Sequence, residues 1–156
     1  MQRITPCLWF DTQAEEAAKF YVSLFDDAKI TDIRYLEGTP SGDHVALVFF
    51  QLEGQAYTAI DGGPQFPFTE AVSFMVTCEA QAELDVLWDR LTEGGDPAAQ
   101  QCGWCKDRFG VSWQVVPAAL WRYLGDPDPG RASRAMAAML QMKKLDVAGL
   151  ERAAAG

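Results

Sequence analysis

The chain repeats a strand-and-helix pattern at a separation of 68 residues, and this repeat restricts its fold more than any other feature. At this shift Ile4–Leu8 lies over Val72–Val76, and Gln13-Ala14-Glu15 lies over Gln81-Ala82-Glu83. Each pair combines a strand-like segment with the beginning of a helix. Because a matched strand and helix start is more than composition produces by chance, the sequence predicts an internal duplication.

The first copy begins with a half-buried strand at Arg3–Phe10. Successive side chains of a strand point to opposite faces, so alternate residues share a face. One face carries the mixed polar and apolar residues Thr5, Cys7 and Trp9, and the other carries the apolar residues Ile4, Leu8 and Phe10. The apolar face is expected to lie under the following helix.

That helix is predicted to be amphipathic. Thr12 and Glu15 have the spacing of a capping box, in which the two side chains satisfy amides of the first turn. Small and apolar residues recur at helical spacing and predict the buried face: Ala14, Ala17, Ala18, Tyr21, Val22 and Phe25. Three strands complete the first copy, at Ala28–Leu36, His44–Leu52 and Gln55–Asp61.

The second copy continues in the same way after its first strand. A helix over Ala80–Leu91 has an apolar face of Leu84, Leu87, Trp88 and Leu91, and the repeat places Trp88 over Phe20. Further strands are predicted at Gln100–Lys106 and Ser112–Val116.

Asp107-Arg-Phe-Gly110 separates these last two strands and has the composition of a tight turn. Gly110 is free to adopt positive φ, and Ser112–Val116 is rich in β-branched and aromatic residues. The segment therefore predicts a hairpin. Aligning Gly54 with Gly110 places Thr58 over Gln114.

The repeat stops after Pro117, and a helical tail is predicted. The domain organisation is a first module over residues 1–62, a second over 68–117 and an extension over 118–156, in one structural domain. Ala118–Leu124 forms a short helix, and Asp128 followed by Pro129 begins the next. Its apolar stripe runs through Met139 and Leu140 to Lys143-Lys144, and a last helix covers Val147–Ala155.

The net charge of −9 in 156 residues restricts the partners of the chain. An acidic protein does not attract phosphates, so nucleic acid and anionic membranes are not expected as partners. No apolar run approaches the roughly 20 residues of a membrane span, and Met1-Gln2-Arg3 leads into a strand without a signal sequence. The expected location is the cytoplasm.

Five segments together resemble the PhnB-like family of the vicinal oxygen chelate (glyoxalase and bleomycin-resistance) superfamily. They are Ile4–Phe10, Gly62–Phe66, Val72–Cys78, Cys102–Val115 and Met139–Leu150. The resemblance implies an α+β fold of tandem βαβββ modules, whose curved mixed sheets surround a cavity, and commonly a homodimer. The family is often labelled 3-demethylubiquinone-9 3-methyltransferase, but fold alone does not decide activity.

The methyltransferase label finds no support in the residues. A nucleoside methyl donor usually requires a glycine-rich turn between a strand and a helix. Gly38, Gly42 and Gly94-Gly95 lie in loops between other kinds of element.

The resemblance also implies four cavity-facing positions where metal-binding relatives have ligands. They are Thr5, Thr58, Ser73 and Gln114, and Gln114 stands where those relatives typically have Glu. Metal sites favour imidazoles and carboxylates over neutral hydroxyl and amide oxygens. We therefore expect no metal and no cofactor.

A ligand pocket is predicted from the faces that mix polar and apolar residues. Its residues are Thr5, Cys7, Trp9, Thr58, Ser73, Met75, Trp104 and Gln114. A cup with a few polar groups suits a small amphipathic molecule, although strand aromatic and Met residues often serve only the core. Lys106, Asp107 and Arg108 either guide a charged ligand or simply solvate the turn.

Two other features each have a structural interpretation and a functional one. Cys102 and Cys105 have redox-like spacing but precede a hairpin turn, which favours incidental thiols over a sensor of oxidants or heavy metals. His44 opens a strand beside a polar loop, as a candidate general base or as a surface residue.

Three functions stay open at this point. The first is a metal-free protein, dimeric as the resemblance implies, that binds a small organic molecule without turnover. The second is an enzyme without protein-supplied metal ligands, with His44 as its base. The third is an interaction module whose dimer surface is the function.

Overall fold

The computed structural model describes residues 2–156, which form two compact units. The first unit ends at Phe68, and the second spans Thr69–Gly156. Each contains one mixed sheet of parallel and antiparallel strands. The predicted α+β fold is confirmed.

The first unit has the predicted order of strand, helix and three strands. Its elements are β1 (Cys7–Phe10), α1 (Ala14–Val22), β2 (Ala28–Leu36), β3 (Val45–Leu52) and β4 (Gln55–Asp61). The sheet order is β1-β4-β3-β2, with β1 parallel to β4. The chain runs from β1 through α1, β2 and β3 to β4, the parallel partner of β1, and this order makes the unit a βαβββ module.

The second unit has one strand fewer than a full βαβββ module. Its elements are β5 (Ser73–Cys78), α2 (Gln81–Thr92), β6 (Trp104–Lys106), β7 (Ser112–Pro117), α3 (Leu120–Leu124), α4 (Pro129–Met139) and α5 (Val147–Ala155). The sheet order is β5-β7-β6, with β5 parallel to β7. A 3-10 turn at Pro97–Ala99 lies between α2 and β6, where the first unit has β2.

The register of the two sheets supports the internal duplication. Cys7 pairs with Thr58 in the first sheet, and Met75 pairs with Gln114 in the second. Because the repeat places Cys7 over Met75, it also makes Thr58 and Gln114 equivalent, as the alignment of Gly54 with Gly110 predicted.

The helices repeat with a different offset from the strands. Helix α1 buries Ala14, Ala17, Ala18 and Tyr21, and α2 buries Leu84, Leu87, Trp88 and Leu91 with the same spacing. Trp88 therefore takes the place of Ala18, and the predicted equivalence with Phe20 is wrong. Bulky side chains on α2 replace small ones on α1, so the two cores differ in packing although their pattern is the same.

The first strand is shorter than predicted. It begins at Cys7, and Ile4 is 86% exposed instead of lying under the helix. Leu8 and Phe10 are buried as expected. Pro6 has no amide hydrogen for a ladder, which explains why regular pairing starts after it.

The predicted capping box at the start of α1 is wrong. The N-cap residue is Gln13, and its side chain makes no capping bond. Asp61, the last residue of β4, accepts a hydrogen bond from the Ala14 amide at 2.7 Å instead. Glu15 bonds to Lys19 and to the Tyr35 hydroxyl, so its carboxylate is already used.

The tail agrees with the sequence except at the end of α4. Asp128 caps this helix by accepting from the amides of Gly130 and Arg131, and α5 spans the predicted residues. Helix α4 ends at Met139, however, so Lys143 and Lys144 do not form its C-terminus. The carbonyls of Met142 and Lys143 instead accept from the amides of Cys102 and Gly103.

In the part of the chain that the structure describes, no helix has both the length and the apolar character needed to cross a membrane.

The capping bond from β4 to α1 predicts a measurable loss of stability. Asp61→Ala removes the acceptor for the Ala14 amide and should lower the free energy of unfolding by about 1–2 kcal/mol. Urea denaturation would measure the change. Asp11→Ala is the matched control, because Asp11 is an exposed carboxylate just before the same helix. A loss no larger than that of the control would contradict the capping role.

Candidate functional site

Asp107 organises the turn between β6 and β7. Its carboxylate is buried, and Oδ1 accepts from the amides of Phe109 and Val111, while Oδ2 accepts from Trp113 Nε1 at 2.9 Å. Gly110 has a φ of +88° and donates its amide to the Asp107 carbonyl. The predicted hairpin is confirmed, and its charged turn residue is an internal acceptor instead of a solvated one.

The segment Gln101–Trp104 folds as a tight turn, so the predicted strand Gln100–Lys106 forms only over Trp104–Lys106. Cys102 and Gly103 have φ values of +51° and +84°. The amide of Gln101 donates to the carbonyl of Trp104 at 3.0 Å, and the amide of Trp104 donates to the carbonyl of Gln101 at 2.8 Å. A Cβ on Gly103 would lie 3.0 Å from both the Val115 carbonyl oxygen and the Leu145 side chain, so the turn packs closely on the tail.

This turn forms part of a cavity in the second unit with a volume of about 560 Å³. The walls come from the segment before β5, the 3-10 turn, the two strands of the hairpin and the end of α4. The lining residues are Glu70, Ala99, Gln101, Cys102, Trp104, Cys105, Lys106, Ser112, Met139 and Leu140. The tail thus contributes apolar side chains to the wall of a cavity within its own unit.

Two features of the cavity depart from ordinary packing. Ser112 is 2% exposed, and its hydroxyl is the one buried side-chain polar atom in residues 2–156 without a hydrogen-bond partner. Lys106, paired with Ser112 across the hairpin, forms an ion pair with Glu70 at 2.6 Å. The cavity therefore combines apolar walls with an ion pair and an unsatisfied hydroxyl.

Of the pocket residues predicted in the second unit, Trp104 lines this cavity. Gln114 lies opposite Trp104 and Met75 in the sheet, and its Nε2 donates to the Ser73 hydroxyl at 2.8 Å. Met75 is 48% exposed on edge strand β5. These residues share the sheet face of Lys106 and Ser112. Ser73, Met75 and Gln114 are nevertheless not among the residues that line the cavity.

The predicted residues of the first unit have a different arrangement. Cys7 and Thr58 are neighbours on parallel strands, and Thr5 lies before β1 and is exposed. Trp9 donates its indole N–H to the Gly63 carbonyl at 2.8 Å and stacks edge-on against Phe66. It also lies over Gly62, where a Cβ would come within 2.1 Å of its ring. Trp9 thus holds the loop that follows β4.

His44 lies on the exposed connection between β2 and β3. Its φ is +61°, and its ring stacks on Tyr35 with centroids 4.3 Å apart. Nδ1 is 3.3 Å from Glu37 Oε1, and the side chain is 71% exposed. The residue does not line the cavity of the second unit.

Residues 2–116 match the family described as 3-demethylubiquinone-9 3-methyltransferase. The match covers most of the chain and includes both sheets. The chain belongs to the PhnB-like family.

Solved structures agree with this assignment. A putative 3-demethylubiquinone-9 3-methyltransferase, PhnB protein, from Bacillus cereus is 37% identical, with 75% of this chain and 100% of that chain covered and a TM-score of 0.66. A Pseudomonas aeruginosa protein is 22% identical over 75% of this chain and 98% of its own, with a TM-score of 0.55. The fosfomycin resistance protein FosX from Listeria monocytogenes is 14% identical over 81% of this chain and 99% of its own, with a TM-score of 0.51.

The last two structures are similar in fold alone, and the fold that this PhnB-like chain shares with the fosfomycin resistance protein is the predicted glyoxalase and bleomycin-resistance fold. A comparison with curated protein sequences found no significant match.

The side chains at the four predicted cavity-facing positions do not fit a metal in this PhnB-like protein. In the second unit the positions are Ser73 and Gln114, and Gln114 directs its amide N–H to the Ser73 oxygen. A donor N–H on the serine oxygen competes with a cation there. In the first unit the positions are Thr5 and Thr58, whose hydroxyls are neutral oxygens. Across residues 2–156 no three His, Cys, Asp or Glu side chains lie together as a metal-binding group.

The cysteines of the PhnB-like chain differ in their environment. All four are free, and Cys78 and Cys105 are buried. Burial and the Asp107 carboxylate raise the pKa of Cys105 to about 12, and burial and Glu83 raise that of Cys78 to about 11. Thiols with such pKa values hold almost no thiolate near neutral pH. Cys102 is partly exposed on the cavity wall, and its sulfur accepts from Gln101 Nε2.

Sequence reasoning missed several wall residues of the cavity. Met139 and Leu140 were assigned to a helix stripe, and nothing in their spacing indicates which surface the end of α4 meets. Ser112 is the first residue of a strand, and nothing in the sequence distinguishes it from other polar residues at strand ends. Lys106 was the available signal, because it ends a predicted strand directly before the turn at Asp107–Gly110, and a hairpin there brings Ser112 opposite it.

The buried carboxylate of Asp107 predicts a selective effect of amide substitution. Asp107→Asn keeps one acceptor for the turn amides but sets an NH2 group against Trp113 Nε1–H, so we expect a loss of about 2 kcal/mol or more. Chemical denaturation would give the free energy of unfolding. In a Trp113→Phe background the same substitution should cost less, because the opposing indole donor is gone. Equal losses in both backgrounds would contradict this role for Trp113.

Proposed function

We propose that this protein binds a small organic molecule in the cavity of its second unit, without a metal held by the protein. The observation that carries the proposal is the cavity itself, with its volume of about 560 Å³ and walls that include Trp104, Met139 and Leu140. Ligand sites of small molecules are typically concave and apolar, with a few polar groups that fix orientation. Gln101, Lys106 and Ser112 supply such groups here.

The size and access of the cavity suit a small ligand. Small-molecule sites are clefts or cavities of roughly 300–1,000 Å³, and the volume of about 560 Å³ lies within this range. Leu140 lines the cavity and is 50% exposed, so solvent reaches the wall. A small molecule can therefore enter without unfolding the unit.

The methyl-transfer activity in the family description finds no counterpart in the fold. A nucleoside methyl donor is commonly held by a glycine-rich turn between a strand and a helix. The three strand-to-helix connections of the described residues, Asp11–Gln13, Glu79–Ala80 and Ala118–Ala119, contain no glycine. The donor set at the metal positions likewise does not favour metal-dependent chemistry, so binding is the function that the side chains support best.

We also propose that two chains pair into a homodimer. Val72 is 71% exposed just before edge strand β5, and Met75 is 48% exposed on it. Apolar surface and an open strand edge are features that association would cover.

The binding proposal predicts that a ligand protects one cysteine. Cys102 lies on the cavity wall and Cys7 is exposed in the first unit. A probe that fills the cavity should slow alkylation of Cys102 by iodoacetamide and leave Cys7 unchanged, because only Cys102 is covered. Peptide mass spectrometry gives both rates in one sample. Suitable probes share one body and differ in head group: 4-phenylbutan-1-ol, 4-phenylbutyrate and 4-phenylbutylamine.

A matched pair of variants controls this experiment. Ala99→Phe places a ring into the lining and should abolish protection, whereas Ala98→Phe adds the same ring at the exposed neighbour and should retain it. An unchanged Cys102 rate with all three probes at millimolar concentration would contradict the proposed function.

A further inference from the structure

Lys106 is the cation of the cavity, and its partner is a carboxylate from outside the sheet. Both Lys106 and Glu70 line the cavity, and Lys106 Nζ lies 2.6 Å from Glu70 Oε1. The Lys106 side chain is 24% exposed, but that of Glu70 is 64% exposed. The cation is therefore fixed in the wall, whereas the carboxylate comes from a turn before β5 and is open to solvent.

Ser112 supplies a second polar group on the same face. It pairs with Lys106 across the hairpin, so the two side chains stand next to each other on one side of the sheet. Its hydroxyl is buried and has no hydrogen-bond partner among the described residues. A buried hydroxyl without a partner is unfavourable, and a ligand oxygen that accepts from it would remove this cost.

The remaining walls indicate the rest of the ligand. Ala99, Trp104, Met139 and Leu140 offer hydrocarbon surface. One ammonium and one hydroxyl match the charge and the two oxygens of a single carboxylate. A phosphate dianion needs more positive charge than the lining of this protein of net charge −9 offers, since Lys106 is its one cationic residue.

We propose that the cavity takes a small organic monocarboxylate, whose apolar body lies against Trp104, Met139 and Leu140. Its carboxylate bonds to Lys106 and accepts from the Ser112 hydroxyl. In the free protein Lys106 pairs with the Glu70 carboxylate, and the carboxylate of the ligand displaces Glu70 from this pairing. This inference rests on the proposed function and names the chemical class of its ligand.

The three phenylbutyl probes share one apolar body and differ only in their head group, so their affinities show which head group the cavity prefers. Isothermal titration calorimetry should show 4-phenylbutyrate binding about tenfold tighter than 4-phenylbutan-1-ol, because a charge-assisted bond to Lys106 is gained. The amine should bind more weakly than the acid, because Lys106 repels an ammonium group and the Glu70 carboxylate already pairs with Lys106. If the alcohol or the amine binds as tightly as the acid, the inference is overturned, while the proposed function stands. If none of the three binds or protects Cys102, both are overturned.

Variants separate the roles of the three polar residues. Lys106→Met keeps an apolar side chain of similar length but removes the charge. It should lower the affinity for the acid to that for the alcohol and leave the affinity for the alcohol unchanged. Glu70→Gln removes the competing carboxylate and should raise the affinity for the acid several-fold. Ser112→Ala removes the hydroxyl donor and should lower that affinity. Lys144→Met is the matched control, since Lys144 pairs with Asp85 in the same unit away from the cavity, and it should change nothing. An acid affinity unchanged by Lys106→Met would also overturn the inference.

Discussion

The buried carboxylate of Asp107 is the interaction on which the second unit depends. It accepts hydrogen bonds from two turn amides and from the indole of Trp113, which lies in the centre of the sheet on β7. A charge removed from water is tolerated when several donors satisfy it. This arrangement fixes the register of β6 on β7, and that register brings Lys106 beside Ser112. The placement of Lys106 beside Ser112 in the cavity is therefore a consequence of one turn.

The other wall depends on backbone bonds between the Cys102 turn and the tail. The amides of Cys102 and Gly103 donate to the carbonyls of Met142 and Lys143, and Gln101 Nε2 donates to the Leu140 carbonyl. These bonds hold Met139 and Leu140 against the edge of the sheet. Gly95 makes a close approach on β6, since a Cβ there would lie 2.1 Å from the Lys106 carbonyl oxygen. The tail is thus a wall of the cavity as well as a helical extension.

The sequence was a good guide wherever local pattern determined structure. The boundaries of β2, β4 and α5, the Asp128 cap and the Gly110 turn follow from alternation, helical spacing and turn chemistry, and the structure has them as predicted. The failures occur where a distant residue competes with a local one. Asp61, 47 residues from Ala14, accepts the hydrogen bond that the predicted capping box of α1 would have made. Cys102 and Gly103 form a turn instead of the predicted strand, and their amides bond to carbonyls of the tail. The cavity combines segments from Glu70 to Leu140, and periodicity in one segment carries no information about such contacts.

Native mass spectrometry of the purified protein, after incubation with Zn²⁺, Mn²⁺ or Mg²⁺ and buffer exchange, would distinguish a metal-free binding protein from a metalloprotein. Neutral oxygens at Thr5, Thr58, Ser73 and Gln114 are poor ligands, so we expect a chain mass unchanged by metal and a mass increase when 4-phenylbutyrate is added. The same spectrum counts the chains in the assembly. One metal ion retained per chain and released by a chelator, with no mass added by the organic probe, would show instead that the protein holds a metal and does not bind the small molecule.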